Sequence, residues 1–322
     1  RIGRARPFDI AGYSAAALAR PVIALAQSWP AVMGLRISDR VGKGLRSAPR
    51  DALLSRCAAP GQLGIAFGVH RAFDNFGAVV GPLLAAAMLS SGLPVRHILA
   101  IAAAPGLLCV LLALRVREPP GPWRPQSAPM QWRWAGLQRP LRRLIQAVGL
   151  FSFGSVSSVF FLLRASEVGL APAQVALLWA MVSAIASGLS VPLSGWSDRV
   201  GRVPLLAAGW TLMSALSIAF AAASAPWAAW ALGAVLGVHL AATDGVERAL
   251  VGDVTAPAQR GTAYGWYHLV RGGMLLPAAA WIGALWRLAG AGWALSCAGL
   301  CTLAAAALLW FWVRPAAAGP AP

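Results

Sequence analysis

One pattern of residues occurs twice in this chain, each time among long apolar runs. Arg1-Ile2-Gly3-Arg4 returns as Arg199-Val200-Gly201-Arg202. Ala59-Pro60-Gly61-Gln62-Leu63-Gly64-Ile65-Ala66-Phe67-Gly68 returns as Ala256-Pro257-Ala258-Gln259-Arg260-Gly261-Thr262-Ala263-Tyr264-Gly265. The offset is 198 residues (199 − 1) for the first pair and 197 (256 − 59) for the second. Such a chain folds as two like halves. Its surroundings must also tolerate continuous apolar helices. Charged residues make up 11 % of the chain and hydrophobic ones 58 %, against roughly 25 % charged in soluble domains. A soluble helical protein would need polar faces on its outer helices, and segments 203–223 and 293–313 show almost none.

Ten segments read as membrane-crossing helices, each of which needs about 20 apolar residues. They are 8–27, 29–47, 62–89, 95–114, 144–163, 172–194, 203–223, 226–246, 261–284 and 290–313. The expected fold is therefore all-α, a polytopic membrane bundle. The stretch 115–143 interrupts the series with Arg115, Arg117, Arg124, Arg133, Arg139, Arg142, Arg143 and Pro119-Pro120. It reads as a cytoplasmic linker lying on anionic lipid. It separates a leading bundle (1–114) from a six-helix bundle (144–314), with a tail at 315–322. Two helices precede Asp198 in the second half. The repeat therefore predicts two before Arg1, and the chain reads as ten helices (four plus six) of an expected twelve, the first two absent.

The net charge is +17, carried by 26 arginines and one lysine. Most of these lie on alternate connections, with Arg96, Arg164 and Arg287 on the opposite set. That asymmetry reports topology, with the basic end cytoplasmic, and argues against nucleic-acid binding. The four cysteines and four histidines show no metal-ligand spacing, so no metal or cofactor is expected. No phosphate-cradling glycine loop is present. A membrane-embedded enzyme would need His and acidic ligands gathered on facing helices, and the histidines are too scattered for it.

Three strings carry chemistry. In Gly195-Trp196-Ser197-Asp198-Arg199-Val200-Gly201-Arg202, Gly201 permits a tight turn, Asp198 can pair with a helix terminus or an arginine, and Arg199 and Arg202 hold the loop at the headgroups. In the second string, Arg36, Asp39, Arg40 and Lys43 share one helix face. Charges at that depth must face the bundle interior or a watery vestibule, the reading for Arg36, unless they lie in the headgroup layer at the cytoplasmic end of the helix, the reading for Lys43, Arg46 and Arg50. In the third, His70, Arg71 and Asp74 sit within one turn. Asp74 lies about twelve residues, roughly 18 Å, into its helix. Such a cluster is either a functional site or an Arg71–Asp74 ion pair that orders two helices. Gly77-x-x-x-Gly81-Pro82 follows, a pattern that allows close helix contact and a bend. The second half carries Asp244, Glu247, Arg248 and Asp253, then His268 and Arg271, in the equivalent region. Arg50-Asp51-Ala52-Leu53 corresponds there to Glu247-Arg248-Ala249-Leu250, with the charge order reversed. If these loops meet, reciprocal pairs between the halves would form when the cytoplasmic side closes.

On Gly195, Asp198, Arg199, Gly201 and Arg202, and their partial duplicate Arg1, Gly3 and Arg4, the chain resembles the major facilitator superfamily. The resemblance extends to an uncharacterised prokaryotic subgroup through the string around Asp39-Arg40. It implies two bundles rocking about a midplane site, with Asp198 and Arg199 as latch residues of a cytoplasmic gate. The Gly77/Gly81/Pro82 string resembles the helix-5 motif of drug/proton antiporters.

The expected function is secondary active transport of a small organic solute by alternating access, as proton-coupled efflux. Asp74 and His70 are the expected coupling residues, because histidine titrates near neutral and a desolvated aspartate is easily protonated. Arg36, Asp39, Arg71, Asp244, His268 and Arg271 are the further cavity candidates. Arg50, Asp51, Glu247 and Arg248 join the gate. The partners are the bilayer, a small solute and protons, and the protein is read as a monomer in the plasma membrane of a prokaryote. The alternative is a non-transporting truncated remnant of such a transporter.

Overall fold

The structure, a computed structural model, describes residues 6–26, 28–115 and 134–313. Arg1, Gly3 and Arg4 lie outside the described residues, as do most of the expected linker and the side chains of Arg36 and Asp39. Thirteen α-helices make up the described residues: α1 (Arg6–Leu25), α2 (Trp29–Cys57), α3 (Leu63–Ser90), α4 (Val95–Ile101), α5 (Ala103–Arg115), α6 (Arg139–Gly154), α7 (Ser158–Glu167), α8 (Pro172–Val200), α9 (Arg202–Ala222), α10 (Pro226–Asp253), α11 (Arg260–Gly273), α12 (Leu275–Ala289) and α13 (Ala291–Leu308). α13 ends in a π-helical turn, Leu309–Val313. α6 begins at Arg139, within the stretch expected to be linker.

Each expected span is helical, and among the described residues eight segments are long and apolar enough to cross a membrane. The other two expected spans correspond to α1 and α2, where charged residues interrupt the apolar sequence. The outer surface is apolar, with Leu276, Leu288, Trp227 and Phe311 all exposed. That surface suits acyl chains and would be a liability in water.

Three expected spans are broken. α4 gives way to α5 at Ala102, and α11 to α12 at Met274. Each break falls three residues before a proline, Pro105 or Pro277. A proline has no N–H for the carbonyl four residues back, here Ile101 or Gly273. α6 and α7 part at Ser155–Ser157 without a proline. There the Trp281 indole N–H donates to the freed Phe153 carbonyl at 2.9 Å. Irregular backbone at membrane depth needs such a protein partner.

α1 packs against α2, α4 and α5. α6 to α13 form a second body in which α8, α9 and α10 pack together and α13 lies against α6 and α9. The two bodies are filled differently. Trp210 of α9 is fully buried, and Phe151 of α6 stacks on it with ring centroids 4.3 Å apart. Tyr13, its counterpart at the 197-residue offset (210 − 197), instead borders a cavity of about 390 Å³ between α1, α2 and α5. The Arg46 guanidinium covers its ring at 4.3 Å.

The bodies meet where α3 lies along α8 and α10, and where α2 meets α11. Small residues permit the first contact. A Cβ on Gly68 would come within 2.7 Å of the Ser194 Cβ, and one on Gly64 within 2.3 Å of the Ser194 carbonyl.

Candidate functional site

The charged residues cluster where the bodies touch, at the ends of α2, α8 and α10 and the beginnings of α3 and α11. This is the basic end. Asp198, at the end of α8, accepts hydrogen bonds from the backbone N–H groups of Gly64 at 2.9 Å and Ile65 at 3.0 Å. A carboxylate of the second half thus caps the first turn of a first-half helix, where free N–H groups and the helix dipole favour negative charge. Arg202 holds Asp198 in place at 2.7 Å, pairs with Asp253 and donates to Ser197 Oγ at 2.9 Å. Gly201 between them has φ 91°, a left-handed conformation suited to glycine. Gly195 leaves room for Ile65, whose Cγ1 would lie 3.1 Å from an added Cβ. The arginine behind Asp198 is Arg202, which is buried, whereas Arg199 is exposed.

Asp51 of α2 is fully buried and forms a second junction. Its Oδ2 is 2.9 Å from His268 Nε2 of α11 and 3.6 Å from Arg248 Nε of α10. Its Oδ1 accepts from Arg50 at 3.2 Å. Asp51 lies beyond the span 29–47 expected for its helix. Burial alone would raise its pKa, but Arg248, the His268 hydrogen bond and Arg50 outweigh that and hold the carboxyl well below the usual carboxylate range. Of the two reciprocal pairs expected, Asp51–Arg248 is present. Arg50 turns to its neighbour Asp51 at the rim, and Glu247, almost wholly buried, pairs with Arg271 at 2.9 Å.

Deeper in the membrane, Arg71 of α3 spans the boundary. One arm reaches its own Asp74 at 3.2 Å and the other pairs with Asp244 of α10. Asp244 also takes Arg271 at 3.2 Å. Arg271 donates to the Tyr267 hydroxyl at 2.6 Å. His70 Nε2 is 4.0 Å from Asp74. His70, Arg71, Asp74, Asp244, His268 and Arg271 are therefore brought to one region.

Exposure rises away from the basic end along one face of α3. Phe67 is fully buried, the His70 side chain is 19 % exposed and that of Asp74 is 43 % exposed. Gly77 and Gly81 continue that face. An added Cβ at either would meet nothing within 4 Å, so the close contact expected of this pair does not occur here. Gly64 and Gly68, one and two turns into the helix, make it instead. On α11 and α12 the same trend runs from Tyr267, fully buried, through Arg271 to Leu275, 59 % exposed. The hydrogen bonds between the bodies run from the Arg260 guanidinium donating to the Ser55 carbonyl at 2.9 Å, at the basic end, to Ser187 Oγ donating to the Ala72 carbonyl at 2.8 Å.

Sequence reasoning passed over Arg260, Ser187 and Tyr267. Arg260 and Tyr264 carried a usable signal, because both stand in the second copy of the longer repeat. The repeat meets itself: Phe67 and Tyr264, equivalent residues (264 − 67 = 197), pack together with centroids 5.9 Å apart.

A helical membrane protein of two related bodies, tied together at one end by ion pairs and hydrogen bonds, has the build of a transporter. The Major Facilitator Superfamily model matches residues 1–164, and the chain belongs to that family. It is 28 % identical over 295 residues to an uncharacterized MFS-type transporter of Methanocaldococcus jannaschii, covering 89 % of this chain and 74 % of the relative. It is 30 % identical over 277 residues to an uncharacterized protein of Mycobacterium tuberculosis, covering 80 % of this chain and 65 % of that protein. The fold is similar to the human organic anion transporter MFSD10, with TM-score 0.72, 18 % identity, and 95 % of this chain and 77 % of that one covered. It is likewise similar to a bacterial homologue of the iron transporter ferroportin in an outward-facing state, with TM-score 0.74, 14 % identity, and 97 % and 84 % covered.

Proposed function

We propose that this chain is a secondary active transporter that moves a small organic solute across the membrane by alternating access, coupled to protons in the direction of efflux. Its moving parts are the bundles 1–114 and 144–314, joined by the segment 115–143. One observation carries the reading: Arg71 ties Asp74 of its own body to Asp244 of the other, at the depth where the bodies begin to part. An ionic link inside a membrane is costly unless it has work to do. This one is placed to register whether the bodies are together.

The closed basic end, read as cytoplasmic, makes this the outward-facing state. Asp74 then stands at the floor of the open side, with His70 beside it. Protonation of Asp74 would take away the own-side partner of Arg71 and leave Asp244 as its carboxylate, so proton binding and closure favour each other through one guanidinium. The solved neighbours are named for an organic anion and for iron. At these identities they inform the fold, and the solute is argued from the residues here.

The test uses the chain in proteoliposomes with a trapped pH indicator, challenged with small organic amphiphiles under an imposed proton gradient. Solute movement should dissipate the gradient, and Asp74→Asn should carry or bind solute without moving protons. Proton movement unchanged in Asp74→Asn would sink the coupling. A second reading, a chain that does not transport alone, is favoured by the cavity beside Tyr13. It predicts no solute movement in the same vesicles.

A further inference from the structure

Most buried charges at the boundary keep a partner on their own side. Arg71 has Asp74 at 3.2 Å, Asp244 and Glu247 share Arg271 at 3.2 and 2.9 Å, and Asp51 has Arg50 at 3.2 Å. Parting the bodies therefore breaks bonds without stranding these charges.

Arg248 differs. Its ion pair is with Asp51, in the other body. Its Nε and Nη1 are buried and donate no hydrogen bond among the described residues. Unsatisfied buried donors, above all charged ones, require an explanation: Asp51 at 3.6 Å attracts Arg248 without accepting a hydrogen bond from it, which leaves the guanidinium open to another acceptor. When Asp51 leaves, the recorded carboxylate still in the field of Arg248 is Asp244, one turn back on α10, which Arg271 already holds at 3.2 Å. Two unsatisfied guanidinium nitrogens in a largely dry place suit an anion. A guanidinium fork fits a carboxylate or halide well.

We propose that Arg248 forms a binding site for a small anion, which replaces Asp51 as the counter-charge when the bodies part. The inference rests on the alternating-access reading and deepens it. The anion is the carboxylate of a solute or an inorganic ion such as chloride. Either stabilises the parted state, because only there is Arg248 free of Asp51.

The experiment takes the 322-residue chain in nanodiscs with Cys109, Cys297 and Cys301 replaced by serine. Native Cys57 and a cysteine from Ala258→Cys are cross-linked across the basic end; both positions are exposed and flank the Arg260–Ser55 contact. Sodium chloride and sodium acetate are titrated at ionic strength held constant with sodium isethionate. The cross-linking rate should fall about fivefold or more, the lower range of coupling between linked equilibria. Response to chloride alone identifies an inorganic ion, response to acetate alone a carboxylate, and response to both a site open to either. Arg248→Gln should lose the response, while Arg248→Lys keeps it at weaker affinity. No response in the parent protein overturns the site, as does an undiminished response in a well-folded Arg248→Gln. Solute flux without anion dependence would remove this site alone. Anion-dependent closure without flux would remove the transport reading alone.

Discussion

Asp51 and Arg248 occupy the same position in the two copies of the repeat (248 − 51 = 197) and pair with each other across the boundary at 3.6 Å. An internal repeat related by an approximate two-fold brings equivalent residues face to face near the axis. There a residue identical in both copies would meet its own kind, and two like charges would repel. Reversing the charge order between Arg50-Asp51 and Glu247-Arg248 turns that repulsion into an attraction. Phe67 and Tyr264 solve the same problem with aromatic rings, which can pack against a like partner.

Asp51→Asn should bias the protein toward the parted state. The substitution leaves Arg248 buried without a carboxylate, and breaking a buried pair by removing one partner costs about 3–5 kcal/mol. Ser55 lies beside this junction, almost wholly buried, so a cysteine from Ser55→Cys in a background without native cysteines reports separation through its alkylation rate. The rate should rise sharply with Asp51→Asn. Because the Asp51 carboxyl is held below the usual carboxylate range, its contribution is complete above that range and fades only as pH falls through the lowered value. Mild acidification should therefore leave the rate contributed by this junction unchanged.

Arg271→Ala should cost more stability than Arg71→Ala. Without Arg71, Asp244 keeps Arg271 at 3.2 Å, and Asp74 is exposed enough to find water. Without Arg271, Glu247 loses its recorded cation while almost wholly buried. The difference should be a few kcal/mol, since a stranded buried charge is the expensive outcome. Melting temperatures of the two variants in the same detergent would check the order, and equal melting temperatures would contradict it.

Much of this site was legible before any coordinates. Hydropathy located the helices, since ten apolar runs cannot all hide in a soluble fold. The repeat offset aligned Arg50-Asp51 with Glu247-Arg248 in reversed charge order, from which reciprocal pairs follow if the two segments meet, and one of them, Asp51–Arg248, is present. The partner of Glu247 was not legible. Whether Glu247 meets Arg50 or Arg271 depends on helix rotation, and one residue of helix is about 100°, which no offset resolves. Gly77 and Gly81 attracted attention by their spacing, yet the tight crossing is at Gly64 and Gly68. Spacing alone cannot tell which of two small-residue pairs on one helix faces a neighbour. The break between α6 and α7 lacks a proline, and its cause, the Trp281 bond to Phe153, spans 128 residues.

Asp198→Asn should loosen the same closed end by a smaller amount. Helix-capping side chains contribute about 0.5–2 kcal/mol, and the asparagine oxygen can still accept one bond from Gly64 or Ile65. Arg202, buried and held between Asp198 and Asp253, would keep Asp253. The expected result is a modest rise in Ser55→Cys alkylation, well below that of Asp51→Asn. A larger rise than Asp51→Asn would mean that the α3 cap, and not the Asp51 junction, dominates closure.

The glycines of α3 give a test in which sequence spacing and structure disagree. Gly64→Ala would place a Cβ 2.3 Å from the Ser194 carbonyl, and Gly68→Ala one 2.7 Å from the Ser194 Cβ and 2.8 Å from the Ser190 carbonyl. Those neighbours are mostly backbone of a packed helix and cannot swing aside, so the bodies must move apart. Overpacking of this kind costs typically about 1–3 kcal/mol. It acts on the closed state, because the crossing exists only while α3 lies against α8. Gly77→Ala and Gly81→Ala meet open space. They should be neutral or favourable by up to about 1 kcal/mol, the gain in helix propensity. Alkylation of Ser55→Cys should rise in the first pair and stay unchanged in the second. A reversed result would place the crossing of α3 near Gly77 and Gly81 and would move the closed gate half a helix away from the basic end.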